Sequence, residues 1–579
     1  MRGPGDRVRN LCLAATAALA LATPWVAGCS SCGKPDGPPP GEAPAALEEK
    51  VAAPDDLLAD GVALTPNATW GRLQRGVGGA LGLMPQTAGA VMCSLAGVDL
   101  AMGPEVDGTS PVYFAFAGDV EAPSWIVVAK LVELRKARGV LLESETAKYT
   151  GRDEGSLTVL TPKGGGAGVG GGVGVGVTRS GYLVVAKDAA TLTRLGPYAT
   201  RNLPREAPPK APVHVEVRPK ALAGRLRPLL ERRWQATMAE LLDSDAKQRS
   251  AHGGRAPDFA EPRAIVAVAD GLVQRRLGAI GAIEKLSVDL DATDEDLHIA
   301  AELEGARDAG DGGLTPMTVG ATTPLLDAPK DSIAALLTRS APEERAADAK
   351  DIEVALLTTL GPRLPEAEAT KLRAAIGGFA RGRGDALTLV ALGGERKAKG
   401  LVLRTPVGAK DSEIARRSVS DAADLLRAPA FKDPLRLKKV QRTTGEAKGV
   451  GKCDVLEVLI EGKGKLPDTK LGLAWEAEGG VLCAALGDDP LELVTRASRP
   501  EQKLSDEKTL AAYVEALGKE ASFVLLGQPF LVDQSKPVPT APAVLAWGSR
   551  GEAPVPKRWV RVDVSDRVLR ELMKKQLGF

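Results

Sequence analysis

The chain has 579 residues, and its 75 basic and 74 acidic side chains leave a formal net charge of +1. Such a balance provides no electrostatic attraction to nucleic acid or to an anionic surface. Aromatic residues make up only 3% of the chain, which disfavours binding of single-stranded nucleic acid or glycans, because both rely on exposed aromatic rings. The length predicts roughly two or three domains.

The N-terminal segment has the pattern of an export signal. Three arginines stand among the first nine residues, and an apolar run from Leu11 to Ala22 follows. This run is shorter than the ~20 residues that span a bilayer, so it is typical of a signal peptide. Beyond it stand four residues, Val26, Ala27, Gly28 and Cys29.

These four residues resemble the lipobox of Gram-negative bacterial lipoproteins. The resemblance implies removal of a signal peptide at 1–28, transfer of diacylglycerol to the thiol of Cys29 and acylation of the new amino terminus. Two or more acyl chains hold a protein stably on a bilayer. Because Ser30 rather than an aspartate follows the cysteine, the resemblance also implies the outer membrane, with the chain facing the periplasm.

Residues 29–54 are predicted to form a disordered linker after the lipidated cysteine. The stretch from Ser31 to Ala45 contains eight Gly or Pro residues, a composition that supports neither a core nor a helix. Proline clusters extend by about 3.1 Å per residue, so this segment is predicted to be a spacer between the lipid and the folded part. A recognition role for Pro38, Pro39 and Pro40 is the alternative.

A first folded unit is predicted at 55–305. Its strands are β-branched or aromatic runs between turn residues, and the last two alternate with period two. The predicted strands are 112–116, 125–128, 156–161, 173–178, 181–187, 213–218, 286–290 and 297–303. Helices are predicted within 70–91, at 131–142, at 189–200 with Asp188 as its N-cap, and within 222–242.

A linker at 306–324 separates this unit from a second one predicted at 325–579. The predicted strands of the second unit are 386–392, 400–404, 454–460, 471–476, 481–486, 522–526, 544–547 and 559–564. Its predicted helices are 343–360, 366–379, 411–426, 489–498, 508–517 and 567–577.

Strand segments follow one another here instead of alternating strictly with helices, which predicts an α+β fold with mainly antiparallel sheets packed by helices. The order of elements also recurs: residues 181–188 and the helix after them parallel residues 480–488 and their helix. We therefore predict two tandem related units. The body resembles two-repeat exported lipoproteins of high-GC bacteria, a resemblance that implies no known activity.

Patterns that could carry chemistry fail the requirements of that chemistry. The glycine-rich run 164–176 has dinucleotide-type spacing but leads into a strand, so it predicts a hairpin loop. The three histidines, His214, His252 and His298, lack a second histidine at helical spacing. His214 shares a strand face with Glu216, which is too few ligands for zinc. Two Ser-x-x-Lys segments, 244–247 and 505–508, predict helix N-caps.

The remaining cysteines are Cys32, Cys93, Cys453 and Cys483, besides Cys12 of the signal and Cys29. Export places them in an oxidising compartment. We predict a disulfide between Cys453 and Cys483, which lie in strands of one meander; the alternative is that all four are free, small apolar side chains.

These observations predict a non-catalytic, membrane-anchored periplasmic lipoprotein that acts as a scaffold or interaction module. An alternative is a carrier of an apolar ligand, such as lipid, held between a sheet and helices. A hydrolase with an unrecognised site is the third hypothesis. We expect no cofactor, no metal and no nucleic-acid partner.

Overall fold

A computed structural model describes residues 49–77, 84–98, 100–143, 147–163, 172–251, 262–305, 317–360, 364–393, 398–433, 435–462, 467–477, 479–532, 541–551 and 557–577. The predicted signal peptide, the lipobox with Cys29, His252 and most of the glycine-rich run lie outside the described residues, so these predictions stay predictions.

The strands of the first half are β1 Leu57–Ala63, β2 Val112–Ala117, β3 Ser124–Lys130, β4 Tyr149–Glu154, β5 Leu157–Pro162, β6 Gly174–Thr178, β7 Tyr182–Ala186, β8 Val213–Val217, β9 Ile283–Ala292 and β10 Asp296–Gly305. The α-helices are α1 Pro66–Val77, α2 Ala88–Ala96, α3 Leu134–Arg138, α4 Ala189–Arg201, α5 Pro219–Ala221, α6 Arg227–Ala251 and α7 Pro262–Ile280. A 3-10 helix, Leu100–Glu105, precedes β2.

The strands of the second half are β11 Ser332–Arg339, β12 Ala386–Leu392, β13 Gly400–Pro406, β14 Leu437–Ala447, β15 Gly451–Ile460, β16 Thr469–Glu476, β17 Val481–Gly487, β18 Ala521–Gly527, β19 Ala543–Arg550 and β20 Lys557–Ser565. The α-helices are α8 Thr323–Leu326, α9 Pro342–Leu360, α10 Glu366–Gly382, α11 Ser412–Leu425, α12 Pro429–Lys432, α13 Pro490–Ser498, α14 Lys508–Glu515 and α15 Asp566–Leu577.

The chain divides into two compact units. The described residues of the first unit fall within Met1–Arg225, Lys285–Ile299 and Leu569–Phe579, and those of the second within Leu226–Glu284 and Ala300–Val568. Helices α6 and α7, which follow β8 and precede β9 in the chain, thus belong to the second unit. None of the described helices combines the length and the apolar character needed to span a bilayer.

Each unit contains an antiparallel sheet. In the first unit the strands lie in the order β4-β5-β6-β7-β3-β2-β1-β8-β9. In the second unit the order is β14-β15-β16-β17-β13-β12-β11-β18-β19-β20. Both sheets are antiparallel and both are packed by helices, which confirms the predicted α+β class.

In each unit, an aspartate side chain caps a helix that follows a strand of the sheet: α4 follows β7, and α13 follows β17. The carboxylate of Asp188 accepts a hydrogen bond of 2.7 Å from the amide of Thr191 at the start of α4, as predicted. The carboxylate of Asp489 accepts one of 3.1 Å from the amide of Glu492 at the start of α13. These bonds satisfy amides that have no partner within the helix, so both helices begin directly after a strand.

The two faces of the first sheet are buried by different segments. On one face, strand side chains pack with Met92 of α2 and Met102 of the 3-10 helix. On the other face, they pack with Leu192 and Leu195 of α4. In the second unit, one face of the sheet is buried under α13 and α14, which contribute Leu493 and other fully buried side chains.

Candidate functional site

A row of aliphatic side chains crosses the second sheet on the face opposite α13 and α14. Directly paired residues on adjacent strands place their side chains on the same face. The paired positions that follow one another from β17 to β20 are Ala484, Leu403, Leu389, Leu336, Leu525, Leu545 and Val562. We call these seven residues the leucine row.

All seven side chains of the leucine row are half-buried. Of the residues that follow Ala484 in the row, none packs against any cluster of buried residues in the described part of the chain. Their neighbours in sequence behave differently: Leu337, Val390 and Leu526 are at most 1% exposed and lie in the core under α13 and α14. The second sheet therefore has one sealed face. Its other face is covered at Leu456 and Trp475 by Ala423 of α11, and it stays accessible along the row beyond Ala484.

Flanking positions extend this surface on both sides. Toward one end of the strands, the rings of Phe523 and Trp547 stack with 3.7 Å between their centroids and 4° between their planes. Toward the other end, Leu401 and Leu486 pair directly and remain 44% and 45% exposed. We call the row with these four residues the leucine face. Contiguous accessible apolar surface of this kind usually marks a binding site.

The helices that connect β11 to β12 do not bury this face. Leu357 and Leu360 of α9 pack with Leu372 of α10 and with Leu425 of α11, in a cluster separate from the leucine row. Helix α9 also contacts α7. Among the described residues, Ala484 packs against a cluster that includes Ala423 of α11, whereas the rest of the row belongs to no cluster with these helices.

The corresponding row of the first sheet is partly sealed. Its directly paired residues are Val185, Val127, Phe114, Gly61, Val215 and Val288. Val185 is 0% and Val127 6% exposed, and both belong to the cluster that contains Met92 and Met102. The ring of Phe114 lies over Gly61, where an added Cβ would stand 2.7 Å from a ring carbon. Phe114 is half-buried and packs against that cluster, whereas Val215 and Val288 are half-buried and belong to no cluster of the described residues.

Of the histidines identified in the sequence, His214 and His298 lie within the described residues, on different strands. His214 of β8 contacts Asp289 of β9 with 2.6 Å between Nδ1 and Oδ1, and the two residues are directly paired. The carboxylate of Glu216 instead forms an ion pair with the guanidinium of Arg218, with 3.8 Å between Oε1 and Nη1. His298 lies on β10. Within the described residues, His, Cys, Asp and Glu side chains do not gather in groups of three or more that could hold a metal ion.

The two Ser-x-x-Lys segments are not helix N-caps, and this prediction was wrong. Ser244 lies inside α6, because residues 229–243 contain no Gly or Pro and the helix continues through them. Lys247 forms an ion pair of 2.6 Å with Asp243 one turn earlier. Ser505 lies within a 3-10 helix whose cap residue is Lys503.

The predicted disulfide between Cys453 and Cys483 is absent, and both residues are buried free thiols. Cys453 lies on β15 and Cys483 on β17, with Glu476 of β16 between them in register. Two strand spacings amount to about 9.6 Å, whereas a disulfide needs Cα atoms within about 7 Å. Burial raises the pKa of the Cys453 thiol to about 11 and also raises that of Cys483.

A buried polar network lies in the first unit, where sequence reasoning did not anticipate it. Asp60 of β1 is 2% exposed, and its carboxylate accepts a hydrogen bond of 2.7 Å from the hydroxyl of Tyr198. Arg218 contacts both groups. Burial, and then the neighbouring carboxylate, raise the pKa of Tyr198. The guanidinium compensates the buried carboxylate, so the network ties α4 to the centre of the sheet.

A cavity lies beside β4 and β5 in the first unit. This cavity has a volume of about 300 Å³, and its lining includes Arg138, Lys163 and Asp153. The carboxylate of Asp153 accepts a hydrogen bond of 2.6 Å from the hydroxyl of Thr158. The lining is polar, in contrast to the leucine face.

Comparison of the chain with protein-family models, with curated proteins and with solved structures gave no match.

Proposed function

We propose that the protein is a membrane-anchored lipoprotein that binds an apolar ligand on the leucine face of its second unit. The observation that supports this proposal is the leucine row, a line of directly paired aliphatic side chains that stays half-buried across seven strands. Covering apolar surface gains about 25 cal/mol for each Å² removed from water. Burial of this apolar surface would stabilise a bound ligand, and such binding requires no catalytic group.

The anchor in this proposal is the lipobox, from Val26 to Cys29. Acylation of Cys29 would hold the binding unit at the outer membrane, next to a supply of apolar molecules. Replacement of Cys29 by alanine tests the anchor. We expect the variant to move from the membrane pellet to the soluble fraction and to lose the mass of the acyl groups. Unchanged mass and partitioning would overturn the anchoring.

The ligand is tested by gentle extraction of the full-length protein from membranes, followed by mass spectrometry of whatever organic molecules remain bound. We expect an apolar compound at a defined stoichiometry. The matched control is the variant Leu336→Asn, Leu525→Asn, which places two amides in the middle of the leucine row. Recovery of the same compound from both proteins, or of none from either, would contradict the binding function.

A scaffold that binds another protein is the second candidate. The observation that favours it is the stacked pair of Phe523 and Trp547 on the leucine face, because aromatic side chains are enriched in protein interfaces. Photocrosslinking from position 547 in intact cells distinguishes the two. A single crosslinked protein band would support the scaffold, and crosslinks confined to lipid would support the carrier.

We also propose that the two units are tandem and related. The strand order of the two sheets supports this proposal. If ten is added to every strand number of the first sheet, the result is the order of the second sheet from β14 to β19. The similar segments 181–188 and 480–488 also pair with their neighbouring strands in the same register. Ala186 pairs with Ile126 of β3, and Ala485 pairs with Val402 of β13.

The entry into the central strand is also similar in the two units. Residues 53–59 read APDDLLA and residues 328–334 read APKDSIA. The amide of Leu57 donates to the carbonyl of Pro54 at 3.0 Å, and the amide of Ser332 donates to that of Pro329 at 3.1 Å. A shared sequence with a shared turn supports a common origin better than strand order alone.

A bulge recurs at the second residue of both central strands. Leu58 interrupts the pairing of β1 with β2, and Ile333 interrupts that of β11 with β12. The carbonyl of Leu58 accepts a bond of 2.9 Å from the amide of Arg218, and that of Ile333 accepts one of 2.8 Å from the amide of Gln528. Bulges are features that related proteins retain. Hydrogen exchange tests whether the two bulges are equivalent. Slow exchange is expected at the amides of Arg218 and Gln528, and fast exchange at either amide would contradict the equivalence.

A further inference from the structure

We infer that the ligand is an unbranched alkyl chain, such as the acyl chain of a lipid, and that each protein chain holds it at one site, on the leucine face of the second unit. This inference rests on the proposed binding function and makes it specific. It follows from the chemistry of the row, from its length and from the way the first unit covers its own corresponding row.

The leucine row offers no hydrogen bonds to a ligand. Its side chains are Leu, Val and Ala, and the strands that carry it from β17 to β19 are paired on both sides, so their backbone groups are engaged within the sheet. An extended peptide lying along the row would leave its own amides and carbonyls without partners, which costs free energy. A hydrocarbon chain has no such groups and loses nothing by leaving water.

The composition of the row favours the same occupant. Side chains that dominate the binding energy of protein interfaces are mainly Trp, Tyr and Arg, whereas Leu and Val are under-represented. The row itself contains none of the first three types. Phe523 and Trp547 lie only at its flank.

The row is long enough for an extended acyl chain. Seven strands give six spacings of about 4.8 Å, or roughly 29 Å in total. This is close to the ~30 Å thickness of the hydrocarbon core of a bilayer, which two facing acyl chains fill. A single acyl chain therefore fits along the row without bending.

The first unit shows what covers such a row. There, Val127 and Val185 are buried by a cluster that includes Met92 and Met102, whose thioether side chains are unbranched and flexible. The space that an alkyl chain would take in the second unit is thus occupied, in the first, by apolar side chains of the protein, Met92 and Met102 among them. Phe114 is half-buried but packs against the same cluster. The residues of this row outside any cluster are Val215 and Val288, which pair directly and are too few to hold an alkyl chain, so one site is expected for each protein chain.

The inference is tested with the full-length Cys29→Ala variant, which needs no detergent. This variant is titrated with dansyl-labelled undecanoic acid. We expect saturable fluorescence enhancement at one equivalent per protein chain, and displacement by palmitic acid. Cholesterol, which is apolar but rigid and polycyclic, is expected to displace the probe poorly. Two equivalents, or equally effective displacement by cholesterol, would overturn the inference.

A matched pair of substitutions locates the site. Leu545 and Val288 occupy corresponding half-buried positions in the two sheets. We expect Leu545→Asn to weaken probe binding by about tenfold, because the amide replaces roughly two covered methylene groups, and Val288→Asn to leave it unchanged. Leu525→Ala, a milder change in the same row, keeps the test valid if Leu545→Asn does not fold. Equal effects of Leu545→Asn and Val288→Asn would overturn the assignment.

The outcome also separates the two proposals. Binding of a leucine-rich helical peptide that Leu545→Asn abolishes, with no binding of the fatty-acid probe, would leave the leucine face as a binding site and exclude the alkyl chain. Absence of binding of both the peptide and the probe would remove the proposed function as well.

Discussion

Arg496 of α13 and Asp331, the residue before β11, form an ion pair with 2.9 Å between guanidinium Nη2 and carboxylate Oδ2. In the first unit, Arg194 of α4 and Asp56, the residue before β1, form the corresponding pair. Each pair ties the helix that follows the last meander strand to the beginning of the central strand. The recurrence of this contact agrees with the proposed relationship between the units.

The two ion pairs are expected to differ in strength. Arg496 has a side chain that is 14% exposed, and it also donates to the carbonyls of Ala398 at 2.6 Å and Gly393 at 3.0 Å. Arg496→Ala leaves these buried carbonyls without a donor, so we expect it to lower the free energy of unfolding by about 2–3 kcal/mol. Arg194 is 39% exposed, and Arg194→Ala is expected to cost less than about 1 kcal/mol.

Urea denaturation of both variants measures these costs, with a double-mutant cycle through Asp331→Ala to isolate the ion pair itself. Equal losses in the two units would contradict the different burial of the arginines.

Adjacent residues of β11 face opposite sides of the second sheet, and this predicts opposite sensitivities. Leu337 is 0% exposed in the core, so Leu337→Ala is expected to cost about 2–5 kcal/mol of unfolding free energy. Leu336 is half-buried on the leucine row, and Leu336→Ala is expected to cost less than about 1.5 kcal/mol because water can fill the space. Thermal unfolding without ligand measures both. A larger loss for Leu336→Ala would show that the leucine face is a sealed core.

Asp188 is expected to make stability depend on pH. The hydrogen bond from the amide of Thr191 holds the pKa of its carboxyl below the ordinary value of an aspartate. A lowered pKa contributes stability that is complete above the unfolded value and is lost as pH falls through the lower folded value. Asp188→Ala should therefore cost about 1 kcal/mol at neutral pH, and the difference from wild type should shrink below about pH 4.

Asp188→Asn is the control, because its amide oxygen can cap α4 but does not titrate in this range. Denaturation at a series of pH values measures the effect. A constant difference between wild type and Asp188→Ala from neutral pH down to acid would contradict the assignment.

Cys453 and Cys483 are expected to remain thiols after export. The intervening strand keeps them too far apart for a bond, and burial raises both pKa values, which suppresses the reactive thiolate. Iodoacetamide at neutral pH should modify them only after unfolding. Peptide mapping without reductant provides the measurement, and a cross-linked peptide that joins the two residues would contradict the register of β15, β16 and β17.

Much of the secondary structure could be predicted from local patterns. Strand β12 has the predicted bounds, Ala386 to Leu392, because apolar residues there stand between clear turn signals. The hairpin of β6 and β7 and the cap of α4 by Asp188 were predicted for equally local reasons. In contrast, β1, β4, β11 and β14 were missed. The central strands β1 and β11 have apolar side chains on both faces, so they lack the alternation that marks a half-buried strand.

The candidate site could not be predicted in the same way. Leucines in a strand indicate that a face is apolar, but not whether another element covers that face. Only the register could show that Leu336 lies between Leu389 and Leu525, which are distant in sequence. Likewise, only the register shows that β16 separates Cys453 from Cys483.

The sequence by itself determined where most of the strands and helices form and that antiparallel sheets are built from them, because hydrophobic period, turn residues and caps act over a few residues. The tertiary structure decided which face of each sheet is sealed. That outcome depends on where the helices between the first two strands of each sheet pack: Met92 of α2 covers the first sheet, whereas Leu372 of α10 packs with its neighbouring helices. Such choices are made by contacts between segments far apart in the chain, and no local pattern encodes them.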